Sequence, residues 1–305
     1  MKKAIICIIL AFSISSSFAC DICGCGVGGN YIGILPEFHK HIFGLRYRYS
    51  SLLTHVGAGG GNTYLTSREN YHTAELWGGW NIGKKFRIMA AIPYSFNERI
   101  NQGIKSGKNG FGDISVYGYY QLLNKKRSIN NKLLVQTLWI GGGIKLPTGK
   151  YETADKDIST QNSNLFQLGT GSADFTLNAM YDIRLQDAGL NINASYKMNT
   201  ANKYEYNYGN KINSSAQLYY KLKIKKMFTV APNLGITYER SKKDLDKKFT
   251  VDLSGGNLLV ASAGIETSFN KISIGGNWQM PLSQKLANGF VKANNRLMVH
   301  LSVAL

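Results

Sequence analysis

The sequence reads ADFTLNAMYDI at Ala173–Ile183 and LNINASYKMN at Leu190–Asn199, and in both segments apolar and polar residues alternate. Successive side chains of a β-strand point to opposite faces, so each segment predicts a strand with one apolar face and one polar face. The short link Gln186–Gly189 joins the two segments. Together they predict an antiparallel hairpin.

The same alternation recurs along the chain. It is clear at Phe86–Phe96, Ile114–Leu122, Ile212–Ile224, Phe228–Tyr238, Ile272–Met280 and Leu297–Leu305, and weaker at Phe38–Tyr49, His72–Ile82, Leu133–Leu146 and Leu258–Phe269. With the hairpin, these segments bring the count to about twelve strands, an even number as bacterial single-chain barrels have. The sequence therefore predicts an all-β fold, a closed antiparallel transmembrane β-barrel.

The connections alternate in length, which predicts the orientation of the barrel. Short links lie at Gly83–Lys85, Asn124–Asn131, Gln186–Gly189, Lys225–Lys226 and Asn270–Lys271, and long polar links at Ser51–Asn70, Asn97–Gly110, Pro147–Ser172, Thr200–Lys211, Arg240–Gly256 and Pro281–Asn294. Outer-membrane barrels have short periplasmic turns and long extracellular loops. A soluble β-sandwich would also alternate, but its strands are usually shorter than these apolar faces require.

The N-terminus predicts export to the outer membrane of a Gram-negative bacterium. Residues 1–19 combine Lys2 and Lys3 with an apolar run and small residues before Cys20, as a signal peptide does. We expect a Cys/Gly-rich periplasmic segment at residues 20–37 and the barrel at residues 38–305. Lipidation of Cys20 stays an alternative.

The formal net charge of +18 at pH 7 indicates anionic partners. A secreted chain rarely meets nucleic acid, so we expect outer-membrane lipid, lipopolysaccharide phosphates and small anionic solutes rather than nucleic acid. Charge that only solubilises the turns is the alternative.

Three stretches carry a resemblance to a known family: Gly110–Ile114 running into Tyr117–Tyr120, Gly143–Gly149 (GIKLPTG) and Phe166–Asp174 (FQLGTGSAD). They resemble elements of the outer-membrane transporters grouped with the MetA pathway of phenol degradation. The resemblance implies an outer-membrane transporter for aromatic or other hydrophobic compounds. Independently of it, Pro147 and Gly149 predict the end of a strand and a turn into a loop.

A cysteine cluster at the predicted mature N-terminus is a candidate metal site. Cys20, Cys23 and Cys25 are soft ligands suited to Cu(I) or Zn(II), and His39 and His41 share one strand face that would complete the set. A disulfide with one lipidated or free cysteine is the alternative, and the two histidines are otherwise surface residues.

The polar faces of the predicted strands supply the candidate lumen-lining residues: Arg46, Arg48, Glu75, Arg87, Asp174, Asp182, Lys197, Lys221, Glu239, Glu266 and His300. Charges there must be paired or hydrated, because facing lipid costs Arg or Lys about 2–4 kcal/mol at mid-bilayer. No catalytic residues are predicted, since no nucleophile motif of the G-x-S-x-G type is present.

The sequence thus predicts an outer-membrane channel or transporter whose cargo is small hydrophobic or aromatic compounds. Two alternatives stay open. One is a barrel that binds or transports copper or zinc through the cysteine cluster, and the other is a closed structural barrel without transport.

Overall fold

The computed structural model describes residues 41–57, 59–153, 164–225 and 228–305. The strands are β1 (Ile42–Thr54), β2 (Ser67–Ile82), β3 (Phe86–Asn101), β4 (Ile104–Phe111), β5 (Ser115–Ile129), β6 (Lys132–Lys145), β7 (Asp174–Leu185), β8 (Ala188–Met198), β9 (Tyr206–Asn207), β10 (Lys211–Tyr220), β11 (Leu222–Lys225), β12 (Phe228–Ser241), β13 (Leu245–Asp246), β14 (Phe249–Thr250), β15 (Gly256–Phe269), β16 (Ile272–Leu286) and β17 (Val291–Ala304). Within these ranges, no helix is long and apolar enough to cross a membrane.

Twelve strand positions close into a barrel. Each strand pairs antiparallel with its neighbours, β1 closes on β17, and β10 and β11 form one interrupted position beside β12. β4 extends β3 as a hairpin outside this path. The predicted closed antiparallel barrel of about twelve strands is confirmed.

The register shows how strongly the strands are tilted. Following paired residues once around the barrel from Ile42 leads back to β1 at Thr54, a shift of 54 − 42 = 12 residues. In a barrel with as many strands as residues of shift, this stagger gives a tilt of about 35–45°. Going from β1 to β2 and onward around the barrel, each paired residue therefore lies closer to the end of the barrel at which Thr54 lies.

The outer face carries an apolar band. Along β12 the outward residues run from Phe228 through Leu234 and Ile236 to Tyr238, and Leu234 is 64% exposed. At about 3.4 Å per residue and a tilt of about 40°, this row spans about 25 Å along the barrel axis, the height of the lipid-facing band of outer-membrane barrels. We call this belt the apolar band.

The two ends of the barrel differ. The N–H of Leu305 donates to the carbonyl of His41 at 2.8 Å, so the start of β1 and the end of β17 lie at the same end of the barrel. Tight turns at Asn130, Asn131 and Asn270, all with positive φ, lie at the same end, where asparagine tolerates the left-handed conformation. By the short-turn rule this end is periplasmic.

The strands are longer than the alternation predicted. The expected long loop Pro281–Asn294 is wrong, because β16 continues to Leu286 and β17 begins at Val291. The expected loop Asn97–Gly110 is instead the hairpin of β3 and β4. Above the apolar band both faces of a strand meet water or polar groups, so pairing continues there without apolar–polar alternation.

Candidate functional site

A cavity of about 240 Å³ occupies the extracellular half of the barrel interior. Its lining mixes charged groups with tyrosines, amides and hydroxyls; lining side chains include Arg48, Tyr49, Tyr71, Glu75, Pro93, Tyr117, Asn178, Ser195, Lys197, Asn213, Gln217, Glu239, Asn277 and Arg296. The interior therefore offers both aromatic surfaces and hydrogen-bonding groups to a small solute.

Ion pairs hold the charged groups of the cavity wall. Glu75 is bound by Arg46 and, at 3.0 Å, by Arg48. On the neighbouring part of the wall, Arg296 of β17 pairs with Glu239 of β12 at 2.8 Å. The side chains of these pairs are buried, except for that of Arg48. Burying a charged group without an opposite charge beside it would cost the fold much free energy.

A third ion-paired group links the wall to the extracellular loops. Lys145 at the end of β6 contacts Asp113 at 2.6 Å and Asp174 at 2.8 Å, and Lys197 contacts Asp174 at 3.3 Å. Asp113 also accepts hydrogen bonds from the N–H groups of Gly149 and Thr170, both at 2.9 Å. One buried carboxylate therefore ties three chain segments together.

These segments are the three stretches that carry the family resemblance. Thr148 accepts from the N–H of Ile114 at 2.9 Å and donates to the carbonyl of Gly112 at 2.9 Å. Gly112, Gly149 and Gly169 lie backbone against backbone. We call this contact region, formed by residues 110–114, 145–149 and 169–174, the motif junction.

The motif junction leaves no room for side chains at Gly149 and Gly169. A Cβ on Gly169 would lie 2.5 Å from Asp113 Oδ1 and 2.7 Å from Gly149 Cα, whereas a Cβ on Gly118 would meet nothing within 4 Å. Gly169→Ala is therefore expected to cost about 1–3 kcal/mol or more of stability, as overpacking does, and Gly118→Ala almost nothing. Urea unfolding of the refolded barrels would measure both, and equal costs would contradict the tight junction.

Residues 165–168, in the described part of the loop after β6, lie at the extracellular mouth. Phe166 is buried against Tyr71, with ring centroids 6.3 Å apart, and its carbonyl accepts from Lys108 at 2.9 Å. Its buried apolar neighbours are Leu52, Leu165, Leu258, Val260, Leu286, Ala287, Val291 and Ala293. This upper cluster, which includes Phe166 and Tyr71, covers part of the mouth above the cavity.

A second apolar group lies beneath the cavity. It consists of Ile42, Trp77, Met89, Tyr119, Trp139 and Met180, all buried and contributed by six neighbouring strands. Glycines make space for its large rings: a Cβ on Gly44 would lie 2.6 Å from the ring of Trp77. We call this group the lower layer, and it narrows the interior on the periplasmic side.

The predicted lining residues fall into three sets. Arg48, Glu75, Lys197 and Glu239 line the cavity, and Arg46 and Asp174 are paired directly behind it. Arg87, Glu266 and His300 are buried, with His300 Nε2 at 3.7 Å from Glu266. Asp182 accepts from the Tyr219 hydroxyl at 2.9 Å, and the Lys221 ammonium lies 5.5 Å from the centre of the same ring.

The predicted metal ligands are not brought together in the described chain. Cys20, Cys23, Cys25 and His39 lie outside the described residues, as does the predicted signal peptide. His41 stacks on Trp80 at 4.1 Å and accepts a hydrogen bond from the N–H of Asn81 at 3.1 Å, a structural role at the periplasmic end. No group of three metal-binding side chains occurs among the residues described.

Sequence reasoning missed Asp113, Lys145 and Arg296. The sequence identifies Asp113 and Lys145 only as parts of motifs that open or end strands, although each is a charged residue within two positions of a glycine, which is a usable signal. Arg296 stands one residue before the predicted strand Leu297–Leu305, and the bulge between Ser50 and Leu52 in the pairing of β1 with β17 broke the period there.

Comparison with solved structures agrees with this architecture. An outer-membrane channel from Pseudomonas putida F1 superposes with a TM-score of 0.57 at 14% identity, covering 90% of this chain and 100% of that one. The β domain of the Bordetella autotransporter BrkA gives a TM-score of 0.50 at 8% identity, covering 88% and 100%. At these identities the likeness establishes the fold alone, that of Gram-negative outer-membrane barrels.

No curated protein matches the sequence. The model of the family described as MetA-pathway of phenol degradation matches residues 54–291, which contain all three stretches of the motif junction and ten of the twelve strand positions of the barrel. The chain belongs to the MetA-pathway of phenol degradation family.

Proposed function

We propose that this protein is an outer-membrane uptake channel for small aromatic compounds that carry a hydroxyl or carboxylate group. The observation that carries the proposal is the cavity of about 240 Å³ inside the barrel, large enough for a single-ring compound. The upper cluster narrows its extracellular entrance and the lower layer narrows its periplasmic exit.

The chemistry of the lining supports this cargo. Tyr49, Tyr71 and Tyr117 provide aromatic surfaces, on which a ring can pack edge-to-face or offset. The cavity wall and its direct partners hold the cations Arg46, Arg48, Lys145, Lys197, Lys211 and Arg296 against the carboxylates Glu75, Asp113, Asp174 and Glu239, so the wall carries a net positive charge. The family description points to the same class of compound.

A purely hydrophobic cargo fits this interior less well. Moving an apolar molecule into a cavity of paired charges and amides strips water from polar groups without replacing their hydrogen bonds. A phenol or an aromatic carboxylate replaces some of them. The lining thus refines the expected cargo from hydrophobic compounds in general to aromatic compounds with one polar end.

Block of the ion current tests this function. The refolded protein in planar bilayers should conduct small ions, and added 4-hydroxybenzoate should reduce the current in a saturable manner. Lys197→Gln should weaken the block about tenfold, because a hydrogen bond to a charged group contributes about 1.5–3 kcal/mol. Asp174 keeps Lys145 as a partner in this variant, so the wall stays paired.

Lys203→Gln is the matched control, since Lys203 is an exposed loop residue whose ammonium lies 5.0 Å from the centre of the Tyr204 ring. It removes the same charge outside the cavity and should leave the block unchanged. A folded parent protein that carries no current would instead indicate a sealed structural barrel, and equal loss of block in both variants would remove the cavity as the binding site.

A further inference from the structure

One ion pair of the cavity wall carries hydrogen-bonding atoms that the described chain does not use. Arg296 Nη1 contacts Glu239 Oε1 at 2.8 Å, and both side chains are buried and line the cavity. Arg296 Nη2 and Glu239 Oε2 are also buried, and neither atom has a hydrogen-bond partner among the described residues. An arginine and a carboxylate frequently form two parallel hydrogen bonds, whereas this pair forms one.

The pair meets on the lumenal side of the barrel wall. Arg296 belongs to β17 and Glu239 to β12, and β15 and β16 lie between these strands. The row of paired residues that leads from Arg296 toward β12 passes Gln279 and ends on two small residues, Ser262 and Gly235. The two side chains therefore reach over the inner face of β15 and β16, where they border the cavity.

The two unused atoms require opposite hydrogen-bonding partners. Arg296 Nη2 can only donate a hydrogen bond, and Glu239 Oε2, as part of a carboxylate, can only accept one. A hydroxyl group both donates and accepts, so one hydroxyl satisfies both atoms. An ether oxygen only accepts, and a carboxylate would bring a second negative charge to Glu239. Because a buried polar atom without a partner costs free energy, the pair favours a hydroxyl over both of these groups.

The other glutamate among the described lining residues differs in this respect. Glu75 Oε1 accepts from Arg46 Nε at 2.9 Å, and Glu75 Oε2 accepts from Arg48 Nη2 at 3.0 Å. Both of its carboxylate oxygens are therefore occupied by arginines. Of these two glutamates, only Glu239 keeps an oxygen that can accept a hydrogen bond from a bound molecule.

The pair and the cation Lys197 are placed to contact one ring from two ends. Ser195 pairs with Asn213 and Asn213 with Glu239, so Lys197 stands two strands and two residues away from Glu239. With strands about 4.8 Å apart and about 3.4 Å per residue, the two Cα atoms are about 12 Å apart. A single-ring compound with a hydroxyl at one end and a carboxylate at the other can therefore contact both groups.

We propose that Glu239 and Arg296 form the subsite that recognises a hydroxyl group of the cargo, which donates to Glu239 Oε2 and accepts from Arg296 Nη2. This inference rests on the channel function proposed above and narrows its substrate class to hydroxylated aromatic compounds. A site built to hydrogen-bond a hydroxyl rejects an analogue without it, because the buried polar groups are then left unpaired. The pair thus determines the specificity of the cavity.

Block of the ion current by three related compounds tests this subsite. 4-Hydroxybenzoate carries the hydroxyl, 4-methoxybenzoate carries an ether that cannot donate, and benzoate carries neither group. The parent protein in planar bilayers should be blocked by 4-hydroxybenzoate at a concentration at least about tenfold lower than by either of the others. Since one comparison compound is larger and the other is smaller, size alone cannot produce this order.

The variant Glu239→Leu combined with Arg296→Met should abolish the preference, so that the three compounds block at similar concentrations. Replacing both partners of a buried ion pair by apolar residues of similar volume is often tolerated, and heat-modifiable migration would show that the variant is folded. Lys243→Met combined with Asp252→Leu is the matched control, because it removes an ion pair of 2.6 Å that lies outside the cavity. The control should keep the preference of the parent.

The outcomes separate this inference from the channel function. Equal block of the parent by the three compounds would overturn the hydroxyl subsite and leave aromatic uptake standing, whereas absence of block by all three would overturn both. Retained preference in the folded Glu239 and Arg296 variant, or its loss in the control, would also overturn the subsite. The comparison in the parent decides the question even where the variant does not fold.

Discussion

Asp113→Ala is expected to destabilise the barrel by about 3–5 kcal/mol. Lys145 keeps Asp174 as a partner, but the buried N–H groups of Gly149 and Thr170 lose their acceptor, at about 1–3 kcal/mol each, together with one charged hydrogen bond. The Asp113 carboxylate is the only group in the described motif junction that contacts Lys145, Gly149 and Thr170 together. Without it the loop containing Phe166 loses its anchor at the wall. We therefore expect a lower urea midpoint and faster protease cleavage between residues 150 and 170.

Asp252→Ala provides the control for this change. Asp252 contacts Lys243 at 2.6 Å, but its side chain is 63% exposed, so its pair resembles the surface ion pairs worth about 0–1 kcal/mol. Both variants delete one carboxylate that binds a lysine. Similar losses of stability in the two would show that burial and the backbone contacts of Asp113 contribute little.

Opening the lower layer is expected to have the largest effect on conductance. Trp77→Ala combined with Trp139→Ala removes the two largest rings from beneath the cavity. Each change should cost about 3–5 kcal/mol of stability, because the site is well packed and glycines such as Gly44 cannot fill the space. The ion current through single refolded barrels should rise severalfold.

Trp80→Ala combined with Trp278→Ala is the matched control, since both rings lie on the outer face and are 52% and 45% exposed. This pair deletes the same atoms without opening the interior, so its single-channel current should equal that of the parent. If the interior pair also conducts like the parent, the lower layer is not what limits passage.

The motif junction and the cavity are physically linked. Gln167 and Leu168, from the loop held by Asp113, line the cavity rim, while Phe166 of the same loop packs in the upper cluster. A change that weakens the junction therefore alters the entrance as well as the stability. For this reason the current block by 4-hydroxybenzoate should be compared between Asp113→Ala and Asp252→Ala too.

The barrel itself was predictable from the sequence, because the lipid imposes a period of two wherever a strand crosses it. Leu177 and Leu190 on one face, with Asn178 and Asn191 on the other, specify β7 and β8 without any tertiary contact. Above the band the rule fails, and the upper parts of β16 and β17 were missed. There, solvent on both faces removes the requirement for alternation.

The sequence by itself determined the strands, their antiparallel order and which face meets lipid, since these depend on neighbouring residues and on the solvent each face contacts. Only the tertiary structure decided which polar side chains meet. Asp113 and Lys145 are 32 residues apart, and Arg296 and Glu239 are 57 apart. The first pair depends on the register of β5 with β6, and the second on the stagger that accumulates from β12 to β17, and neither register can be read from the residues alone.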